Sequence, residues 1–221
     1  MKKTLAILHT TPVTIGPLQE LAKKTMPDCQ IYNLLDDSIL PQLIAGQDRG
    51  TIILRLQTYV KMAELTGADG ILSACSSIGQ WMIEASQQVS VPVMRIDEAM
   101  AEAAVQGGGT IGILATLTTT LEPTTALVRA KADAAGIKVQ CLPKLAAGAY
   151  EAMLGGDQAA HDERVAQALR SLLQQCRVVV LAQASMARVA AQLDDVPPQA
   201  YLTSPVSGMQ RVKQVLYGGQ T

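Results

Sequence analysis

The sequence predicts an α/β protein of two pseudo-symmetric lobes, each a mainly parallel sheet flanked by helices, with an active site in the cleft between them. Two observations carry this. Short apolar runs alternate with longer segments of helical period along the whole chain. The second half of that alternation also repeats the first. Strands are expected near residues 4–9, 29–34, 70–74 and 91–96, and again near 110–115, 137–142, 177–182 and 199–203. Helices are expected at 14–25, 49–66, 77–88, 119–135, 158–175 and 205–216. Runs such as Val178-Val179-Val180-Leu181 are apolar without interruption, the pattern of strands covered on both faces. Alternating strands and helices imply parallel pairing with crossover helices.

The repeat is visible residue by residue. Ala6-Ile7-Leu8-His9-Thr10-Thr11 resembles Gly112-Ile113-Leu114-Ala115-Thr116-Leu117, 106 residues later. Ile71-Leu72-Ser73-Ala74-Cys75-Ser76-Ser77 resembles Val179-Val180-Leu181-Ala182-Gln183-Ala184-Ser185, 108 residues later. Val91-Pro92-Val93-Met94 matches Gln199-Ala200-Tyr201-Leu202 more weakly at that same offset. A boundary near residues 97–109 follows. The first lobe is expected to comprise residues 1–97 with 205–221 and to carry Cys75. The second, 98–204, carries Thr116 and Gln183.

Composition narrows the function. The 221 residues are 48% apolar but only 3% aromatic, with no Phe and nine Met, so the core is aliphatic. Base-stacking platforms are excluded. A net charge of −1 and the lack of a basic run leave no footprint for nucleic acid. Met1-Lys2-Lys3 followed by Thr4-Leu5-Ala6-Ile7-Leu8 faintly resembles a secretory leader, but the apolar run is too short and His9-Thr10-Thr11-Pro12 ends it. No apolar run approaches the roughly 18 residues of a membrane span. A cytoplasmic protein with reduced cysteines is expected. His9 and His161 lie far apart, no zinc-ligand spacing occurs, and no glycine-rich phosphate loop follows a strand. The expected partners are a small carboxylate or amino acid and further copies of the chain, with no nucleic acid, membrane, metal or cofactor.

Ligands of parallel α/β sheets bind at the carboxyl ends of the strands. Four such ends are small and polar and precede helices: His9-Thr10-Thr11, Cys75-Ser76-Ser77, Thr116 through Thr119 and Thr120, and Gln183-Ala184-Ser185. Hydroxyls and free N–H groups at helix starts bind anions such as carboxylates. Cys75 is the strongest candidate, because a thiol at a helix N-terminus has its thiolate stabilised by the free N–H groups and the dipole. Cys29 and Cys141 read as packing residues and Cys176 as a helix-end residue beside Arg177. His161, in the run His161-Asp162-Glu163-Arg164, is expected to be solvated. His9 could face the site or cap a turn.

At these residues the chain resembles the aspartate/glutamate/hydantoin racemase superfamily, which includes cofactor-independent racemases, maleate isomerases and arylmalonate decarboxylases. Asp69-Gly70-Ile71-Leu72-Ser73-Ala74-Cys75-Ser76-Ser77 is similar to that family's first cysteine loop, and Pro92-Val93 with Asp97-Glu98-Ala99 to the strand and helix after it. Ile111-Gly112-Ile113-Leu114-Ala115-Thr116, with Thr119, Thr120 and Leu121, is similar to its central threonine loop. Val180-Leu181-Ala182-Gln183-Ala184-Ser185-Met186 is similar to its second cysteine loop, with Gln183 where the second cysteine would stand. The resemblance implies cofactor-independent proton transfer at the α-carbon of a small acid, with Cys75 as base or nucleophile. Gln183 leaves three readings open. One is a racemase with another acid, His9 or a water, in place of the second thiol. The others are a one-cysteine lyase, decarboxylase or isomerase, and a small-acid binding protein without catalysis.

Overall fold

The computed structural model describes residues 2–218. Its strands are β1 (Thr4–His9), β2 (Gln30–Leu35), β3 (Gly70–Ser73), β4 (Val93–Arg95), β5 (Gly109–Ala115), β6 (Val139–Leu145), β7 (Val178–Leu181) and β8 (Tyr201–Thr203). Its helices are α1 (Ile15–Thr25), α2 (Ile39–Ile44), α3 (Arg49–Leu65), α4 (Gly79–Ser86), α5 (Glu98–Val105), α6 (Thr118–Ala135), α7 (Ala149–Leu154), α8 (Gln158–Leu173), α9 (Ala184–Ala190) and α10 (Ser204–Tyr217). The chain forms two compact units: residues up to Ile96 together with those from Pro205, and Asp97–Ser204. Residues 1 and 219–221, expected in the first lobe, lie outside the described residues.

In the first unit the strand order is β2-β1-β3-β4, all parallel. Alternation along β1 explains its unbroken apolar run. Leu5 and Ile7 point into a core shared with Leu18 and Ala22 of α1 and with Met209, Val212 and Leu216 of α10. Ala6 and Leu8 point the other way, onto Ile52, Leu56 and Val60 of α3 and Met82 of α4. Each face of the sheet therefore has its own helical cover, as parallel strands require. Asp69 clamps the amino-terminal edge, accepting from Lys3 Nζ at 2.9 Å and from the Thr4 N–H at 2.8 Å.

The second unit repeats this order as β6-β5-β7-β8, again parallel. Leu114, Val179 and Leu181 face Val165, Leu169 and Leu172 of α8 and Met186 of α9. Ile111, Ile113, Val178 and Val180 face Met100 and Val105 of α5 and Val128 of α6. The repeat extends to capping: the Asp48 carboxylate accepts from the Thr51 N–H at 2.9 Å at the start of α3, and that of Asp157 from the Ala160 N–H at 2.9 Å at the start of α8.

Residues 98–105, just past the division at Asp97, form α5, the helix that the resemblance places at Asp97-Glu98-Ala99, and Met100, Ala101, Ala104 and Val105 fill the second unit's core. The strand expected at 137–142 begins later, at Val139, and runs to Leu145. Gly136 ends α6 in the left-handed conformation (φ 66°), which turns the chain before the strand starts. Pro143 is tolerated there because β6 is an edge strand.

Helix α10 lies close to the first unit's own backbone: a Cβ added at Gly208 would stand 2.3 Å from the Ile96 carbonyl oxygen. Gly208→Ala should therefore destabilise the protein by about 2 kcal/mol, the usual scale of overpacking. Urea unfolding of the variant beside the parent checks this, and an unchanged midpoint would contradict the close packing.

Candidate active site

The topology selects the positions at which chemistry can occur. From β1 the chain moves to β2 on one side, then returns to β3 on the other; from β5 it does the same with β6 and β7. Ligands of parallel sheets bind where the order reverses, at the strand carboxyl ends. In the first unit that point is flanked by residues 9–11 and 75–77, and in the second by residues 116–120 and 183–185.

Leu8 pairs with Ser73, and the Ala74 N–H donates to the Leu8 carbonyl at 2.9 Å. This carries β3 one residue past its end and sets Cys75, in extended conformation, beside the end of β1. Helix α4 does not start at residue 77. A 3-10 turn, Ser76–Ile78, comes first, and α4 begins at Gly79. Cys75 is half-buried, and Ser76 and Ser77 are nearly buried. The Ser73 hydroxyl donates to the Cys75 carbonyl at 3.4 Å. Burial pushes the thiols of Cys29, Cys141 and Cys176 above their ordinary value. None of those three stands at a strand carboxyl end.

His9 is fully buried and its ring is occupied. Nδ1 lies 2.7 Å from Thr14 Oγ1 and Nε2 lies 3.0 Å from Asn33 Oδ1. Burial lowers its pKa, against the hydrogen bond with Asn33, so the ring is neutral at pH 7 and ties β1 to β2. Both ring nitrogens are thus taken up inside the first unit. Thr10 is buried, and Thr11, half-buried, leads into the 3-10 turn Pro12–Thr14.

The second unit presents an amide where the first has its thiol. Gln183, also extended, follows β7 as Cys75 follows β3. Its Oε1 accepts from the Thr116 N–H at 2.6 Å and from the Thr116 hydroxyl at 2.9 Å. A backbone N–H can only donate, which fixes the amide orientation, with the oxygen rather than the NH2 toward Thr116. Thr116 and Thr120 are nearly buried, and Thr119 Oγ1 is buried without a partner among the described residues. Ala184 and Ser185 are exposed on the first turn of α9.

Three arrangements escaped the sequence reading. Asp36, after β2, accepts from Tyr59 at 2.5 Å, from Ser38 Oγ at 2.7 Å and from Arg55. Burial alone would raise its carboxyl, but these bonds outweigh it and hold the group below its ordinary value. Arg95, at the end of β4, is buried. His161 is buried rather than solvated, because it continues the inward stripe of Val165, Leu169 and Leu172 on α8. Its Nδ1 lies 2.8 Å from Asp162 Oδ1, which also accepts from Arg188 of α9 at 2.6 Å and from Gln158 at 2.8 Å. Helical phase was the available signal for His161. Among the described residues no group of three His, Cys, Asp or Glu side chains is placed to hold a metal ion, and no helix is long and apolar enough to cross a membrane.

A model of the family described as Asp/Glu/Hydantoin racemase matches residues 10–208. The chain belongs to this family of racemase-type isomerases. Solved structures agree on the fold of the Asp/Glu/hydantoin racemase family. Glutamate racemase isoform RacE1 from Bacillus anthracis superposes with a TM-score of 0.73 at 14% identity, over 100% of this chain and 84% of that one. The aspartate racemase of Picrophilus torridus gives 0.75 at 13% identity, over 97% and 94% of the two chains. Allantoin racemase from Klebsiella pneumoniae gives 0.64 at 17% identity, over 98% and 89%. No curated protein matches the sequence.

The Asp162 cluster yields a pH prediction. Burial works against its charge, yet the bonds from Arg188, His161 and Gln158 depress its carboxyl to about 2. A depressed carboxyl stabilises the fold fully above the unfolded value near ~4 and loses that contribution as pH falls toward the folded value. Asp162→Asn should cost about 2 kcal/mol at pH 7. The difference from the parent should shrink to nearly nothing by pH 2, as measured by urea unfolding across that range. A difference independent of pH would mean that the cluster acts by packing alone.

Proposed function

We propose that the protein is a racemase-type isomerase that transfers a proton at the α-carbon of a small carboxylate or amino acid, with Cys75 as its acid–base group and no cofactor. Hydroxyl and N–H donors at the strand ends of each unit are suited to a carboxylate and to an enediolate-like transition state. Family membership and the place of Cys75 beside the reversal of the first sheet support this reading.

The observation that carries it furthest is the fixed amide of Gln183. An amide is neither a general acid nor a general base at neutral pH, but with its oxygen held by Thr116 its NH2 can donate to a carboxylate or enediolate oxygen. One thiol serves one face of a carbanion. Gln183 therefore favours proton transfer on one face by Cys75 alone; a one-cysteine decarboxylase, lyase or cis–trans isomerase is the alternative reading.

Incubating each enantiomer of a bound amino acid in D₂O and following the α-proton by NMR tests this. Deuterium should enter one enantiomer without inversion, and Cys75→Ala should abolish the exchange. Deuterium in both enantiomers with interconversion would reveal a second acid and defeat the one-base reading. Absence of exchange and turnover with every tight ligand would indicate a binding protein. Gln183→Cys should create or raise interconversion by supplying a second thiol.

A further inference from the structure

Thr116 follows the last residue of β5 and is 5% exposed. Its N–H and its hydroxyl donate to the same atom, Gln183 Oε1, at 2.6 and 2.9 Å. Two donors of one residue that converge on one oxygen are suited to a carboxylate oxygen, because bonds to an ionised acceptor are roughly twice as strong as bonds to a neutral one. Here a neutral oxygen of the chain itself fills the position.

The sheet register sets up this contact. Leu114 of β5 pairs with Leu181 of β7, and Thr116 and Gln183 each stand two residues further on. In the first unit Leu8 of β1 pairs with Ser73 of β3, and the residues two further on are Thr10 and Cys75. A cysteine side chain ends one atom beyond Cβ and carries no oxygen, so position 75 cannot supply what Gln183 supplies. The threonine is kept in both halves, whereas the side-chain oxygen that fills its donors belongs to the second half alone.

We propose that Gln183 is the resident occupant of a carboxylate-oxygen position in the second unit, and that it withholds the Thr116 donors from the ligand. This rests on the reading of the strand ends as the place where a small carboxylate binds. A ligand oxygen reaches Thr116 only by displacing the amide, so its apparent affinity there is reduced to the fraction of molecules in which the amide has left. What Gln183 itself then offers is its NH2, which can only donate. An ammonium group finds no acceptor in it. Gln183 thus selects for an acceptor at this strand end, a carboxylate or carbonyl oxygen of the ligand.

The test follows the Thr116 amide by ¹⁵N–¹H NMR at pH 7, with acetate and malonate as probes. In the parent, where the N–H is bonded to Gln183, either probe should shift the resonance only at high concentration. Gln183→Ala should move it upfield through loss of the bond. Acetate or malonate should then move it back, with a dissociation constant roughly tenfold below the parental one, the scale of one or two net hydrogen bonds. A Thr116 resonance unmoved by the substitution would overturn the proposal. Equal dissociation constants in parent and variant would do the same, as would a variant whose Thr116 responds to neither probe. Should Gln183→Ala not fold, Gln183→Asn carries the test with the same expectations, because its amide stops one methylene short of Thr116. The titrations should come out alike in a Cys75→Ala background. The D₂O exchange experiment reports on the thiol instead, so the two readings fail separately.

Discussion

The structure depends on one pairing made twice: a central strand held parallel to the strand that comes second after it, β1 to β3 and β5 to β7. The register of that pairing decides which residues emerge at the carboxyl edge. Ser73 pairs with Leu8, and Leu181 with Leu114, so in each unit the chain runs one further residue in contact before it turns. A slip of one residue would exchange the two faces of β3 and drive its inward side chains toward the wrong helices. The apolar cores on both sides of each sheet forbid that slip, so packing in the interior fixes the chemistry at the rim.

The two units show what duplication keeps and what it releases. Strand order, helix caps and the two-sided cores are kept, because each is needed for either unit to bury its sheet. The rim residues are not needed for burial and have diverged. One rim offers a thiol with serines beside it. The other offers threonines and an amide whose orientation is set by a main-chain donor. The chemistry is asymmetric on a frame that is nearly symmetric.

The sequence made the strand ends legible because they follow unbroken apolar runs of strand length, and because the runs recur at a near-constant spacing. Cys75, Thr116 and Gln183 were found in that way. Residues whose role depends on contacts across the fold were not legible. Asp36 and Arg55 meet through a helix 19 residues away, and β4 sets the buried Arg95 against a glycine of another element. At His161 the charged neighbours in sequence point to solvent, whereas helical phase turns it inward with Val165. The sequence leaves His9 open, because a residue at a strand end can face a site or cap a turn. Thr14 and Asn33, which settle its place, lie on the turn before α1 and on β2.

The path of the chain through the first unit bears on how it is made. The second unit is one continuous stretch, whereas the first is closed by α10, whose Met209, Val212 and Leu216 complete the core over Leu5, Ile7 and Leu72. On the ribosome, Asp97–Ser204 is therefore available to fold as a whole while its host still lacks a helix. Until α10 emerges, the nascent first sheet has α1 alone over one face and exposes apolar side chains to water and to chaperones. The half that carries Cys75 is thus closed only after Asp97–Ser204 has been synthesised.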